Sequence, residues 1–229
     1  MREWELPLSV DLVLAGQGAD PAVLRRRRPQ LVTLAERAVE ESAALLQPQL
    51  AYRRVEMIAV DHDRLRLAEA PALTAPHLVQ QLGKAQYLVA LIVTLGPRLE
   101  ARMTEVMASD PAYALALDGL GTVAVDALYR AAYRRFETEA VAQGLCLSRP
   151  FSPGTAGWPL DEGQRWLFSL LDAATVGVTV FPGGQMRPRK SCSALVGAGE
   201  DITPYHGRPC PTCALQATCA YRRRHALAL

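Results

Sequence analysis

The sequence predicts an α+β protein, and three observations carry the prediction. Leu31 to Leu46 places apolar residues at helical spacing, with Glu36, Arg37, Glu40 and Glu41 on the opposite face. Ala85 to Thr94 is a continuous apolar run of the kind that forms a buried strand. Ala51 to Leu67 alternates apolar and polar residues and breaks at Asp61-His62-Asp63, as a hairpin does. The 229 residues are 50% hydrophobic and 21% charged, ample for one large domain around a core. The economical division is a domain over 1–205 and a short Cys-rich segment over 206–229.

The remaining elements follow in order. Four consecutive arginines, Arg25 to Arg28, read as a solvated helix start. Gln47-Pro48 ends the first long helix. Thr74 is the candidate cap of a helix with Pro76 in its first turn, running to about Lys84. Leu95-Gly96-Pro97 stops the apolar strand, and Arg98 to Ala108 forms the next helix. Asp110-Pro111 opens a long helical region to Leu145, with small residues at Gly119, Gly121, Thr122, Ala124 and Ala127 where a neighbour can approach closely. Cys146 to Trp158 is loop. A helix from Asp161 presents Trp166, Leu167, Phe168, Leu170 and Leu171 to the core. Val176 to Phe181 alternates like a strand, Pro182-Gly183-Gly184 turns the chain, and Ser193 to Val196 is one more short strand.

Composition excludes several functions. A net charge of +2, with basic runs that are short and not interleaved with aromatics, argues against nucleic-acid binding. Met1 to Pro7 lacks an apolar signal core, and no apolar run approaches the roughly 20 residues that span a bilayer. The expected setting is therefore the cytoplasm, with no membrane partner. The four histidines lie in unrelated contexts, and the serine-elbow, phosphate-loop and zinc-protease motifs are absent.

Two features point to chemistry. Arg149-Pro150-Phe151-Ser152-Pro153-Gly154, followed by Met186 to Ser193, forms a pair of Pro-containing basic loops bracketing a helix. The Arg149 fork and free backbone N–H groups of the loop suit a carboxylate or phosphate. Cys210, Cys213 and Cys219 place three thiols in ten residues, close enough to share an iron–sulfur cluster or zinc. Cys192 is the best fourth ligand and His206 the next. Three ordinary reduced cysteines, and an Asp126–Arg130 surface pair four residues apart, are the plain alternatives.

The stretch from Arg149 to Gly197 resembles the reactivation domain of cobalamin-dependent methionine synthase, and more closely the stand-alone activation subunits. Arg149-Pro150, Pro153-Gly154, Leu170 to Asp172, Gly177-Val178, Met186 with Pro188, and Lys190-Ser191 with Ser193 carry the resemblance. Thr94-Leu95-Gly96 and Gly121 to Leu128 extend it upstream. It implies a twisted antiparallel sheet packed by helices, binding S-adenosylmethionine. It also implies an accessory role in methionine biosynthesis: reductive methylation of inactive cob(II)alamin to methylcobalamin. The cobalamin is carried by a partner methionine synthase, with an electron donor as a further partner. By the same resemblance Arg149 binds the ligand carboxylate, and Asp126 stands where the family carries a Glu for the amino group. Phe151, Ser152 and Gly154 offer backbone contacts, and Tyr205 lies near a family tyrosine. Thr155 replaces a family Tyr, which leaves Trp158 to meet the corrin. Two other readings stand beside this one: an iron–sulfur reductive activator of other corrinoid methyltransferases, and a zinc-stabilised interaction module.

Overall fold

A strand that is apolar at every position needs neighbours on both edges, and the run found in the sequence has them. In the computed structural model, which describes residues 4–155 and 157–205, Tyr87–Thr94 is buried at all eight positions. The described residues group into two compact units, one built from residues 4–48 and 95–129, the other from 49–94 and 130–205. The predicted class holds: an antiparallel sheet packed by helices.

The first unit is helical. It contains α1 (Val10–Gly16), α2 (Pro21–Arg27), α3 (Pro29–Glu40) and α4 (Ser42–Leu45). The second begins with the strands β1 (Gln49–Val60), β2 (Arg64–Leu67) and β3 (Leu73–Thr74), then α5 (Pro76–Leu82) and the apolar strand β4 (Tyr87–Thr94). The chain returns to the first unit for α6 (Arg98–Val106). The helix α7 (Pro111–Val141) gives its earlier residues to the first unit and its later ones to the second. The second unit is completed by β5 (Cys146–Leu147), α8 (Leu160–Leu170), a 3-10 turn at Ala173–Val176, β6 (Thr179–Val180), β7 (Met186–Arg187) and β8 (Ser191–Gly199).

In the helical unit the caps are local and readable. Asp20 accepts hydrogen bonds from the N–H groups of Ala22 and Val23, and Pro21 fills the first helical position. Of the four arginines expected at a helix start, Arg28 is the cap residue of α3, while Arg25, Arg26 and Arg27 occupy the last turn of α2. Their charge there complements the carbonyl end of the helix dipole, and Arg25 also pairs with Asp11 at 2.6 Å. Val32, Ala35 and Ala38 form the buried stripe of α3. Asp110 caps α7 as predicted, accepting from the Tyr113 N–H at 3.0 Å. The small residues of α7 do bring backbones together: a Cβ on Gly119 would lie 2.6 Å from the Val13 carbonyl oxygen of α1.

In the sheet unit the strand order is β3-β2-β1-β4-β8-β5, each neighbour antiparallel. β4 pairs with β1 on one edge and β8 on the other, which explains its complete burial. Leu88, Ala90 and Ile92 share one core with Leu78 and Leu82 of α5, and with Leu167 and Leu170 of α8. β8 is more than twice as long as the expected Ser193 to Val196: it begins at Ser191, and the small residues Gly197, Ala198 and Gly199 continue it as a buried strand. A Cβ on Gly199 would meet the Lys84 backbone, so close packing selects glycine there.

Two local expectations are corrected. Thr74 belongs to β3, and α5 starts from Ala75 with no side-chain cap, relying on Pro76 to set its first turn. The predicted strand from Val176 to Phe181 is broken by Gly177 at φ +65°, so only Thr179–Val180 remains extended. No described helix is long and apolar enough to cross a membrane. Filling the α1–α7 contact tests the packing: Gly119→Val should lower unfolding free energy by about 1–3 kcal/mol in urea titrations.

Candidate functional site

The site is built on the outer edge of β8. Cys146 and Leu147 of β5 pair with Gly199 and Ala198. The next residue, Ser148, donates its N–H to the Gly197 carbonyl at 2.8 Å. Two positions further along β8, Leu195 exchanges both backbone hydrogen bonds with Phe151, at 2.8 and 2.9 Å. Ser148 to Phe151 is therefore a longer step than Gly197 to Leu195, and the edge carries one extra residue. That is a β-bulge, a device that re-aims a side chain. Arg149 and Pro150 occupy it, and Pro150, with no N–H, fits where no ladder donor is needed.

Arg149 is half-buried, and its guanidinium lies 4.5 Å from the centroid of the Phe151 ring. Phe151 is 2% exposed and belongs to the sheet core, so the stacking surface is fixed. No carboxylate among the described residues pairs with the Arg149 guanidinium. A cation stacked on a buried ring with open hydrogen-bond donors is suited to a planar anion.

Beyond Phe151 the chain closes a tight turn. Gly154 adopts φ +91° and donates to the Trp158 carbonyl, while Thr155 donates both its N–H and its hydroxyl to the Ser152 carbonyl. The expected nest of free N–H groups is therefore absent at Phe151, Gly154 and Thr155, whose donors are used inside the fold. Arg149 is the one charged residue of this loop. Trp158 is 2% exposed, edge-on to Trp166 and packed beside Gly163. It is a core residue, and the expectation that it meets a corrin is overturned by its burial.

The second loop lies beside the first. A Cβ on Gly184 would stand 3.2 Å from the Leu160 carbonyl, and a Cβ on Gly154 would be 3.6 Å from the Leu160 Cβ. Both loops thus abut the first residue of α8. The β6–β7 hairpin holds its turn through Phe181 N–H to Gln185 O at 2.8 Å, and Arg187 stacks on Phe181 at 5.1 Å. The start of β8 is pinned by buried hydroxyls. The Ser191 hydroxyl is 2.7 Å from the Pro188 carbonyl and 2.8 Å from the Thr94 hydroxyl, and Ser193 donates to Gln164 of α8 at 3.1 Å.

Thr94, Ser148, Gln164, Ser191 and Ser193 are the buried polar side chains apart from tyrosines among the described residues, and all lie in this unit. Nothing in the sequence marks Thr94, Ser148 or Gln164 as buried polar residues. Single serines, threonines and glutamines carry no signal until the fold buries them. Their concentration at the two loops holds those loops in one shape, because a buried polar group must find a partner.

The other predicted residues are placed as follows. Tyr205 sits in the same unit, its ring edge-on to Tyr133 at 5.5 Å. Tyr133 in turn donates its hydroxyl to the Ser148 carbonyl at 3.1 Å, adjacent to Arg149. Asp126 is half-buried on α7 within the helical unit. Cys192 pairs with Val93 in the β4–β8 ladder and is half-buried. Cys210, Cys213, Cys219 and His206 lie outside the described residues. Among the described residues no group of three or more His, Cys, Asp or Glu side chains is placed to hold a metal.

No protein-family model matches the chain, and no curated protein does. Among solved structures, the crystal structure of the MetH reactivation domain bound to AdoHcy matches with a TM-score of 0.62 at 15% identity. The match covers 81% of this chain and 71% of that one. The chain shares its fold with that domain. At this identity the likeness speaks for the fold alone.

The clamp beneath Arg149 has a measurable cost. The Gly197 N–H donates to the Ser148 hydroxyl at 2.9 Å, so Ser148→Ala strands a buried donor. Urea denaturation should show a loss of about 1–3 kcal/mol.

Proposed function

We propose that the protein binds S-adenosylmethionine and supports reductive methylation of cob(II)alamin held by a partner methionine synthase that lacks this domain. The observation that carries the reading is Arg149: half-buried, aimed by a bulge, stacked on Phe151, and without a carboxylate partner among the described residues. The shared fold with a domain whose structure holds AdoHcy supports it, as do the loop motifs in the sequence.

The chemistry asks little of the protein beyond placement. One electron takes cob(II)alamin to cob(I)alamin, whose cobalt attacks the sulfonium methyl group. The carbon–sulfur bond breaks, leaving methylcobalamin and S-adenosylhomocysteine. The sulfonium is already an activated leaving group, so no acid or base is required, and orientation of the methyl group is the protein's contribution. This agrees with a site that has an anion anchor and a rigid frame. In the same reading Arg149 takes the carboxylate in a two-pronged contact. Phe151, Ser152 and Gly154 border the ligand with Tyr205. The electron comes from a separate donor, and an iron–sulfur cluster or zinc on Cys210, Cys213 and Cys219 remains part of the proposal. Metal analysis of anaerobically prepared protein checks that part, with about one cluster or ion per chain expected and none after Cys210→Ser and Cys213→Ser together.

Calorimetry with S-adenosylhomocysteine tests the ligand reading. Wild-type protein should bind, and Arg149→Ala should weaken binding about 10- to 100-fold, the range for a hydrogen bond to a charged group. Arg149→Lys should fall between them, because lysine keeps the charge without the planar fork. No binding by the wild type, or equal binding by Arg149→Ala, contradicts the proposal.

A further inference from the structure

We infer that Tyr133 is a positioning residue for Arg149, acting through the peptide plane that joins Ser148 to Arg149. The inference rests on the ligand reading above and adds to it the element that aims the anion anchor. In a regular antiparallel ladder the Ser148 carbonyl would accept the Gly197 N–H. Here that N–H goes to the Ser148 hydroxyl at 2.9 Å, and the carbonyl accepts the Tyr133 phenol at 3.1 Å. The Ser148 hydroxyl closes the arrangement by donating to the Arg149 carbonyl at 2.8 Å. A tyrosine hydroxyl and a serine hydroxyl have thus been substituted into the ladder at the residue where the bulge begins.

The carbonyl of Ser148 and the N–H of Arg149 share one rigid peptide plane. With the Ser148 carbonyl held by Tyr133 and the Arg149 carbonyl held by the Ser148 hydroxyl, the backbone on both sides of the Arg149 Cα is restrained, and with it the direction in which the side chain leaves toward Phe151. Packing alone does not call for a hydroxyl at position 133. A phenylalanine would fill the same volume beside Tyr205, whereas the hydroxyl reaches the Ser148 carbonyl at 3.1 Å, nearer than the Leu147 carbonyl at 3.5 Å. Tyr133 is 9% exposed. Burial, with the nearby Glu137 and Tyr205, pushes its phenol far above the ordinary tyrosine range, so it stays a neutral donor throughout the physiological range. The edge-on contact with Tyr205 at 5.5 Å supports the ring from the other side.

The test is a double-mutant cycle on Tyr133→Phe and Arg149→Ala, read with two ligands by calorimetry. S-adenosylhomocysteine carries the amino acid carboxylate, and 5′-methylthioadenosine lacks it. Tyr133→Phe should weaken S-adenosylhomocysteine about 3- to 10-fold, the scale of one neutral hydrogen bond. It should leave 5′-methylthioadenosine within about twofold, and have no further effect once Arg149 is alanine. Ser148→Ala should show the same selectivity for the carboxylate-bearing ligand, which keeps the inference testable if Tyr133→Phe folds poorly. Equal weakening of both ligands, or additive effects of the two substitutions, would overturn it and leave Tyr133 a structural residue. Arg149→Ala binding like wild type would overturn the ligand reading itself, and this inference with it.

Discussion

The hydrogen-bonding register along the outer edge of β8 is the constraint on which the site depends. Small residues from Gly197 to Gly199 let β8 run on as a buried strand, which places Ser148 and Phe151 opposite Gly197 and Leu195. The edge has one residue more than β8 can pair, so Arg149 and Pro150 together stand opposite Val196 alone. Were the register shifted by one residue, every side chain on the edge would exchange faces. Phe151 would leave the core and Arg149 would lose its stacking surface. The presentation of Arg149 is therefore a consequence of strand pairing more than of loop composition.

Around that edge the protein spends its buried polar groups. The Thr94–Ser191 pair, the Ser193–Gln164 pair and the Ser148 clamp tie β4, α8 and the bulge to β8. Each requires a precise partner in a low-dielectric setting, where an unmet hydrogen bond costs more than a met one gains. Such groups contribute modestly to net stability, yet they select one arrangement of the two loops. The helical unit is made differently, by caps, an alanine-rich stripe on α3 and the close contact of α1 with Gly119.

Much of this was legible in the residues. The β1–β2 hairpin, the apolar strand, the Asp110 cap and the helix after Leu160 follow from period, punctuation and capping chemistry, which are local. Arg149 and its loop stood out because Arg-Pro and Pro-Gly are strong backbone signals. The nonlocal parts were hidden. Nothing near Cys146 announces that Ser148 and Phe151 will join a strand almost fifty residues away. The use of the loop's N–H groups inside the fold follows from that same pairing and from the Gly154 turn. Trp158 looked like a ligand residue in a loop, and only the tertiary core formed with Trp166 and Leu167 shows it buried. Gly177 was read as entering a strand, while its positive φ ends a 3-10 turn.

The central claim is that Arg149, presented by the bulge and backed by Phe151, receives the carboxylate of an S-adenosyl ligand. A crystal structure of the protein with S-adenosylhomocysteine tests it most directly. The ligand carboxylate is expected in a two-pronged contact with the Arg149 guanidinium at about 2.7–2.9 Å, with the Ser148–Gly197 and Phe151–Leu195 pairing unchanged. A ligand whose carboxylate is held by other residues, with Arg149 turned to solvent, would contradict it.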